Sequence, residues 1–131
     1  MLEIKGEYIS DSSFDDLRLV YDILYYDGQL LSLYKSLENH LYLVVFVDVD
    51  KDFNRWLLIQ VTPFLLHQFS IENISLRNII ISNNYAYMFD TNNNLEKKNI
   101  KKIDTMDLPE DYLPTIDSFF PFNFNNMNIV Q

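Results

Sequence analysis

Asp48, Asp50 and Asp52 are the residues whose type and spacing come nearest to chemistry. At positions i, i+2 and i+4 they would share one face of a continuing strand. Three carboxylates together offer the hard oxygen ligands that Mg²⁺ or Ca²⁺ prefers. The run begins like a calcium-binding loop, but Phe53 stands where such a loop needs its sixth-position glycine, and the flanks pattern as strands. A solvated acidic hairpin turn is therefore the simpler reading, and a metal-dependent enzyme using Asp48, Asp50 and Asp52 is the alternative. Asp22 and Asp27 would add carboxylates, yet no spacing brings them to the others. The two histidines, His40 and His67, are the candidate general bases. Neither accompanies a recognisable nucleophile such as the serine of a G-x-S-x-G elbow. Cysteine is absent and glycine occurs only at Gly6 and Gly28. That removes thiolate nucleophiles, Cys-based zinc sites and glycine-rich phosphate loops. The sequence assigns no catalytic residue, no cofactor and no metal ligand, and the expectation is a protein that is not an enzyme.

Composition sets what kind of molecule carries these residues. An apolar fraction of 48% with 15% aromatic residues is too hydrophobic for a disordered chain. At 131 residues it suits one domain, 1–131, with 116–131 as a Phe/Asn-rich tail. The net charge of −9 is unevenly spread, because Lys97, Lys98, Lys101 and Lys102 fall within six positions. The remaining surface repels phosphate backbones and anionic lipid, which argues against direct nucleic-acid or membrane binding. It would suit a protein partner with a basic surface. The missing cysteines, and an N-terminal stretch without a basic-then-apolar signal pattern, fit a cytoplasmic protein.

The elements that must position the candidate residues follow from periodicity. Leu41 to Asp50 is rich in β-branched and aromatic residues, with Leu41, Leu43, Val45, Val47 and Val49 on one side and Tyr42, Val44 and Phe46 on the other. A strand apolar on both faces is a central strand covered on both sides. Leu17–Tyr26 and Gln29–Ser36 flank Asp27-Gly28, a strong hairpin signal because the favoured turn needs positive φ at both residues. Arg55–Val61 follows, completing a four-stranded meander. Thr62-Pro63 then marks a helix start over Phe64–Phe69, and Ser75 caps a second over Leu76–Ile81. Tyr85–Asp90 and Ile100–Met106 read as further strands, Leu2–Ile9 as an edge strand and Pro109–Pro114 as irregular. The fold class is α+β: an antiparallel sheet of about five to six strands, with two short helices between the fourth and fifth main strands.

Several pieces, in this order, resemble a family of short acidic bacterial proteins of uncharacterised function. They are Tyr25-Tyr-Asp-Gly-Gln-Leu-Leu31, Leu41-Tyr-Leu-Val44 leading to Asp48 and Asp50, Arg55-Trp56-Leu57, Val61-Thr62-Pro63, Ile74-Ser-Leu-Arg77 and Asp107-Leu-Pro-Glu-Asp-Tyr-Leu-Pro114. The resemblance covers roughly residues 17–115. It implies an α+β domain met in bacterial genomes and offers no catalytic residue.

Aromatic side chains with polar tips are frequent interface anchors, and Trp, Tyr and Arg dominate binding hot spots. Tyr42, Tyr85 and Tyr87 read as core. Tyr25 and Tyr26 beside a tight turn, and Arg55 and Trp56 after an acidic one, are harder to bury. Phe119, Phe120, Phe122 and Phe124 make a tail too aromatic to leave in solvent. The candidate interaction residues are thus Tyr25, Tyr26, Asp48, Asp50, Asp52, Arg55, Trp56, Phe119, Phe120 and Phe122. The lysine cluster reads as a guarded strand edge. These readings favour a non-catalytic protein-binding module of bacterial or phage origin, of the inhibitor, immunity, antitoxin or counter-defence kind. A small-ligand (nucleotide) binder is an alternative, and a homodimer joined through the tail stays open.

Overall fold

The run that patterns as a doubly covered strand does form one, and the rest of the chain is arranged to cover it. A computed structural model describes residues 1–123. Its strands are β1 (Glu7–Tyr8), β2 (Arg18–Tyr25), β3 (Gln29–Lys35), β4 (Leu41–Val49), β5 (Asn54–Val61), β6 (Tyr85–Thr91) and β7 (Lys97–Asp104). Two helices, α1 (Pro63–Ser70) and α2 (Leu76–Ser82), stand between β5 and β6. All strands join one antiparallel sheet in the order β1-β7-β6-β5-β4-β3-β2. Strands β2 to β7 are a single meander, and β1 adds to its far edge.

The seven strands exceed the number expected. The two weakest by pattern, Glu7–Tyr8 and the lysine-rich Lys97–Asp104, pair with each other, Glu7 opposite Lys102 and Tyr8 opposite Lys101. Each is stabilised by ladder hydrogen bonds that hydrophobic alternation does not announce. Gly6 permits the approach, since a Cβ there would lie 2.9 Å from Ile103 Cγ1 and 3.0 Å from the Lys102 carbonyl oxygen. The lysines do not form one guarded edge. Lys101 is buried, donating to the Ile4 carbonyl at 2.7 Å, while Lys102 Nζ sits 4.0 Å from the Tyr85 ring centroid.

Alternation sorts the side chains into two layers. Leu31, Leu33, Leu41, Leu43, Val45, Leu57, Ile59 and Met88 point to one face, where Leu66 and Phe69 of α1 and Ile79 and Ile80 of α2 meet them. Each such side chain, fully buried, contributes about 1.5–3 kcal/mol. The second face carries Tyr42, Val44, Leu58, Phe89 and Ile100, covered by the chain crossing from β1 to β2. Phe14 is the plug in that crossing, edge-on to Tyr42 at 5.7 Å and Tyr87 at 4.9 Å. Both helix starts follow their caps: Thr62 Oγ1 accepts from Leu65 N and Ser75 Oγ from Asn78 N, each at 3.1 Å. No helix among the described residues is long and apolar enough to cross a membrane.

After β7 the chain forms short 3₁₀ turns at Thr105–Asp107 and Glu110–Tyr112, then lies along the helical layer as a strap. Arg77 grips it with a bidentate pair to Glu110 (2.6 and 2.9 Å) and a 2.9 Å bond to the Pro114 carbonyl. Ser118 accepts from Leu76 N through its carbonyl and from Arg77 N through its hydroxyl, satisfying two orphan donors of α2.

Candidate functional site

Consecutive antiparallel strands place every second turn at the same end of a sheet. The β2–β3, β4–β5 and β6–β7 turns therefore gather at one end, and they bring together most of the residues singled out from the sequence. Tyr25 and Tyr26 lie at the first turn, 63% and 80% exposed. Asp27 and Gly28 both take positive φ (54° and 135°), as the Asp-Gly signal requires. Tyr25 pairs with Gln29, so the loop is one residue longer than the tightest hairpin.

The three aspartates of the next turn do not share a face. A bulge interrupts the β4–β5 register between Phe46 and Asp48, so Asp48 opposes Arg55 while Phe46 opposes Trp56. This extra residue turns Asp48 toward the helical face. There its Oδ2 accepts a 2.7 Å bond from the Tyr112 hydroxyl. That bond, opposed by burial and aided by Val49 N–H, holds the Asp48 carboxyl below the ordinary carboxylate range. Asp50 instead closes the turn: its Oδ1 accepts from Asp52 N and Phe53 N, both at 2.9 Å, which lowers its pKa as well. Asp52 is exposed. Among the described residues no group of three or more His, Asp or Glu is arranged to hold a metal ion. His40 lies in the β3–β4 turn at the opposite end of the sheet, and His67 is on α1.

Arg55 stands behind this turn and points inward. Its side chain is 10% exposed and forms a bidentate pair with Asp90, Nε to Oδ1 at 2.8 Å and Nη2 to Oδ2 at 3.2 Å. Nη1 donates to the Leu2 carbonyl and, at 3.1 Å, to the Tyr112 hydroxyl. Burial opposes charge on the guanidinium, but the bonds to Asp90 and Tyr112 outweigh it and push the pKa up. The four side chains Asp90, Arg55, Tyr112 and Asp48 are thus one chain of hydrogen bonds joining β6, β5, the strap and β4. Each of the four bonds to a residue on another segment of the protein. Asp90 and Tyr112 escaped the sequence reading, although Asp90 shares the inward register of Ala86 and Met88, a signal that a buried cation must face it.

Trp56 lies on the opposite face, half-buried and edge-on to Phe46 at 5.4 Å. Its indole N–H donates to Thr91 Oγ1 at 3.0 Å. It walls a pocket of about 200 Å³ that Tyr34, Val44, Phe89, Leu95 and Lys97 also line. The tail residues lie elsewhere. Phe120 and Phe122 pack on the helical-face core, Phe122 edge-on to Phe69 at 5.7 Å and tilted against Tyr21 at 6.2 Å. Phe119 is partly exposed, and Phe124 lies outside the described residues.

Asp48, Arg55, Asp90 and Tyr112, the polar side chains drawn inward at this end of the sheet, bond to one another. What the arrangement offers solvent is a rim of tyrosines and carboxylates around one end of the sheet. No protein-family model, no curated protein and no solved structure matches this chain.

Proposed function

We propose that this protein is a non-catalytic, cytoplasmic protein-binding module of bacterial or phage origin, acting as an inhibitor, immunity protein, antitoxin or counter-defence protein. It presents the turn end of its sheet to a partner with a basic surface. The observation that carries this reading is the make-up of that end. Exposed Tyr25, Tyr26, Val49 and Leu95 are interleaved with the exposed carboxylates of Asp27, Asp50, Asp52 and Glu96. Large apolar side chains left in water are costly unless something covers them, and tyrosine is the side chain interfaces use most readily. The surrounding acids, within a net charge of −9, would accelerate encounter with a basic surface and reject acidic ones. Behind this rim, Asp48, Arg55 and Tyr112 fix the β4–β5 hairpin, so the face is pre-organised. The bacterial or phage origin rests on the family resemblance.

The test is affinity capture from a bacterial host with the parent chain, a Tyr25→Ser/Tyr26→Ser variant, and a control altered at Leu37, in the turn at the opposite end of the sheet, and at Phe64 on α1. A stoichiometric partner lost only with the tyrosine variant, and then rebound by the purified parent with an affinity that falls as salt rises, is the expected outcome. Tyr26 alone is expected to contribute about 2 kcal/mol, roughly thirty-fold in Kd. Equal capture by the parent and the tyrosine variant would sink the proposal.

A further inference from the structure

We infer that the pocket between β3, β5 and β6 is a binding site for a small aromatic anion, one ring carrying a carboxylate or phosphate. The inference does not rest on the protein-binding reading, because it is argued from the aromatic walls and Lys97, and shares only Leu95 with the rim. Its walls are three aromatic side chains from three strands, Tyr34, Trp56 and Phe89, with Val44 as floor. The polar atoms in these walls are already paired. The Trp56 indole donates to Thr91, and the Tyr34 hydroxyl donates to Gln29 Oε1 at 3.2 Å. Gln29 in turn donates to Asp22 at 2.8 Å. These bonds lock the rings in place and leave π faces and C–H edges for an occupant, which selects a ring over a sugar or peptide backbone.

The sign of the ligand's charge follows from Lys97, the one charged side chain lining the pocket. Its ammonium stands 6.0 Å from the Phe89 centroid, and no carboxylate among the described residues lies within salt-bridge distance of it. An aromatic box in so acidic a protein would otherwise attract a methylated ammonium. Lys97 holds the cation's place and repels a second one. Acids stand nearby: Asp22 bonds the lining Gln29, and Asp11, Asp15 and Glu96 line the adjoining pocket that Lys97 shares. They weaken the pull of Lys97, which acts at contact while more distant charges are screened. Glu96, the nearest acid along the chain, is hydrogen-bonded to Asn92.

Size narrows the class further. A cavity of about 150 Å³ accepts benzene, so about 200 Å³ accepts one ring and its substituent. A whole nucleotide does not fit. Leu95 forms the lip, 80% exposed and held at φ 60°, a conformation leucine seldom adopts. The turn that fixes it there is built on Asn92, whose Oδ1 accepts from Asn94 N and Glu96 N. An apolar side chain is thus kept over the opening, where an arriving ring would bury it.

Trp56 is the single tryptophan, so 5-fluorotryptophan labelling gives one ¹⁹F resonance at the pocket wall. Benzoate, phenyl phosphate, benzyl alcohol and benzylammonium are titrated against the labelled parent chain and Lys97→Gln. Saturable shifts are expected for the two anions in the parent, with benzylammonium weaker by about tenfold or more. In Lys97→Gln the preference for anions should vanish while benzyl alcohol binds as before. Absence of a saturable shift for both anions up to about 10 mM, or an anion affinity unchanged in Lys97→Gln, would overturn the assignment.

Discussion

The Tyr112 hydroxyl donates to Asp48 Oδ2 at 2.7 Å, joining residues 64 positions apart in the chain. The bond ties the strap after β7 to the bulge in β4. It also explains why the bulge is there: without the extra residue, Asp48 would fall on the opposite face with Phe46 and leave the phenol without this acceptor. Because Tyr112 also accepts from Arg55, one oxygen couples the strap to both strands of the acidic hairpin.

Tyr112→Phe keeps the buried ring and removes that oxygen. The loss leaves Asp48 and Arg55 each one partner short and should cost about 1–3 kcal/mol, read as a lower urea midpoint at unchanged slope. In a double-mutant cycle with Asp48→Ala the two changes should be less than additive, since both remove the same bond.

Acid should destabilise the protein through these carboxylates. Asp48, Asp50 and Glu110 all have folded-state pKa values held down, by Tyr112, by turn N–H groups and by Arg77 respectively. A depressed carboxylate contributes stability that is complete above its unfolded pKa, about 3.9 for Asp and 4.3 for Glu. That contribution is lost as pH falls through the lower folded value. Urea midpoints should therefore be flat from neutral pH to about 5, then fall below about 4. The fall should be shallower in Asp48→Asn.

Much of this architecture was legible in the residues, and the failures share a cause. Alternation placed Leu41, Leu43 and Val45 opposite Tyr42 and Val44, and both helix starts lay where Thr62-Pro63 and Ser75 put them. These are local signals, set by side-chain period and cap chemistry. Strand β1 was overdrawn as Leu2–Ile9 because nothing local says that only Glu7 and Tyr8 pair with β7 as a strand. The shared face of Asp48, Asp50 and Asp52 assumed an unbroken strand, and one bulge separates the first from the others. Arg55 patterned as a surface anchor beside Trp56, yet parity with Leu57 and Ile59 already pointed it inward. Its partner Asp90 lies 35 residues away, beyond any local reading.

Removing one member of that pair should be costly. Asp90→Asn or Arg55→Ala leaves a buried charge without its counterion and should cost about 3–5 kcal/mol. Arg55→Lys should recover little, because an ammonium cannot reproduce the two-pronged bond to Asp90 and also reach Leu2 and Tyr112. Replacing both residues with leucine should be milder than either single loss. Thermal unfolding of the four variants checks the order.

The aromatic tail raises a last question, whether Phe120 and Phe122 serve this molecule or a neighbour. Phe122 rests on Phe69 and Tyr21 of its own chain, and Ser118 completes the start of its own α2. The structure thus spends this segment on internal cover. Phe122→Ala should cost about 1–2 kcal/mol, below the value for a fully buried ring because Phe122 is half-buried. Ser118→Ala should cost about 1 kcal/mol, as a lost cap does. Sedimentation equilibrium should return the same mass for both variants as for the parent. A halved mass in Phe122→Ala would mean that the ring also bridges two copies, and the internal account would then be incomplete.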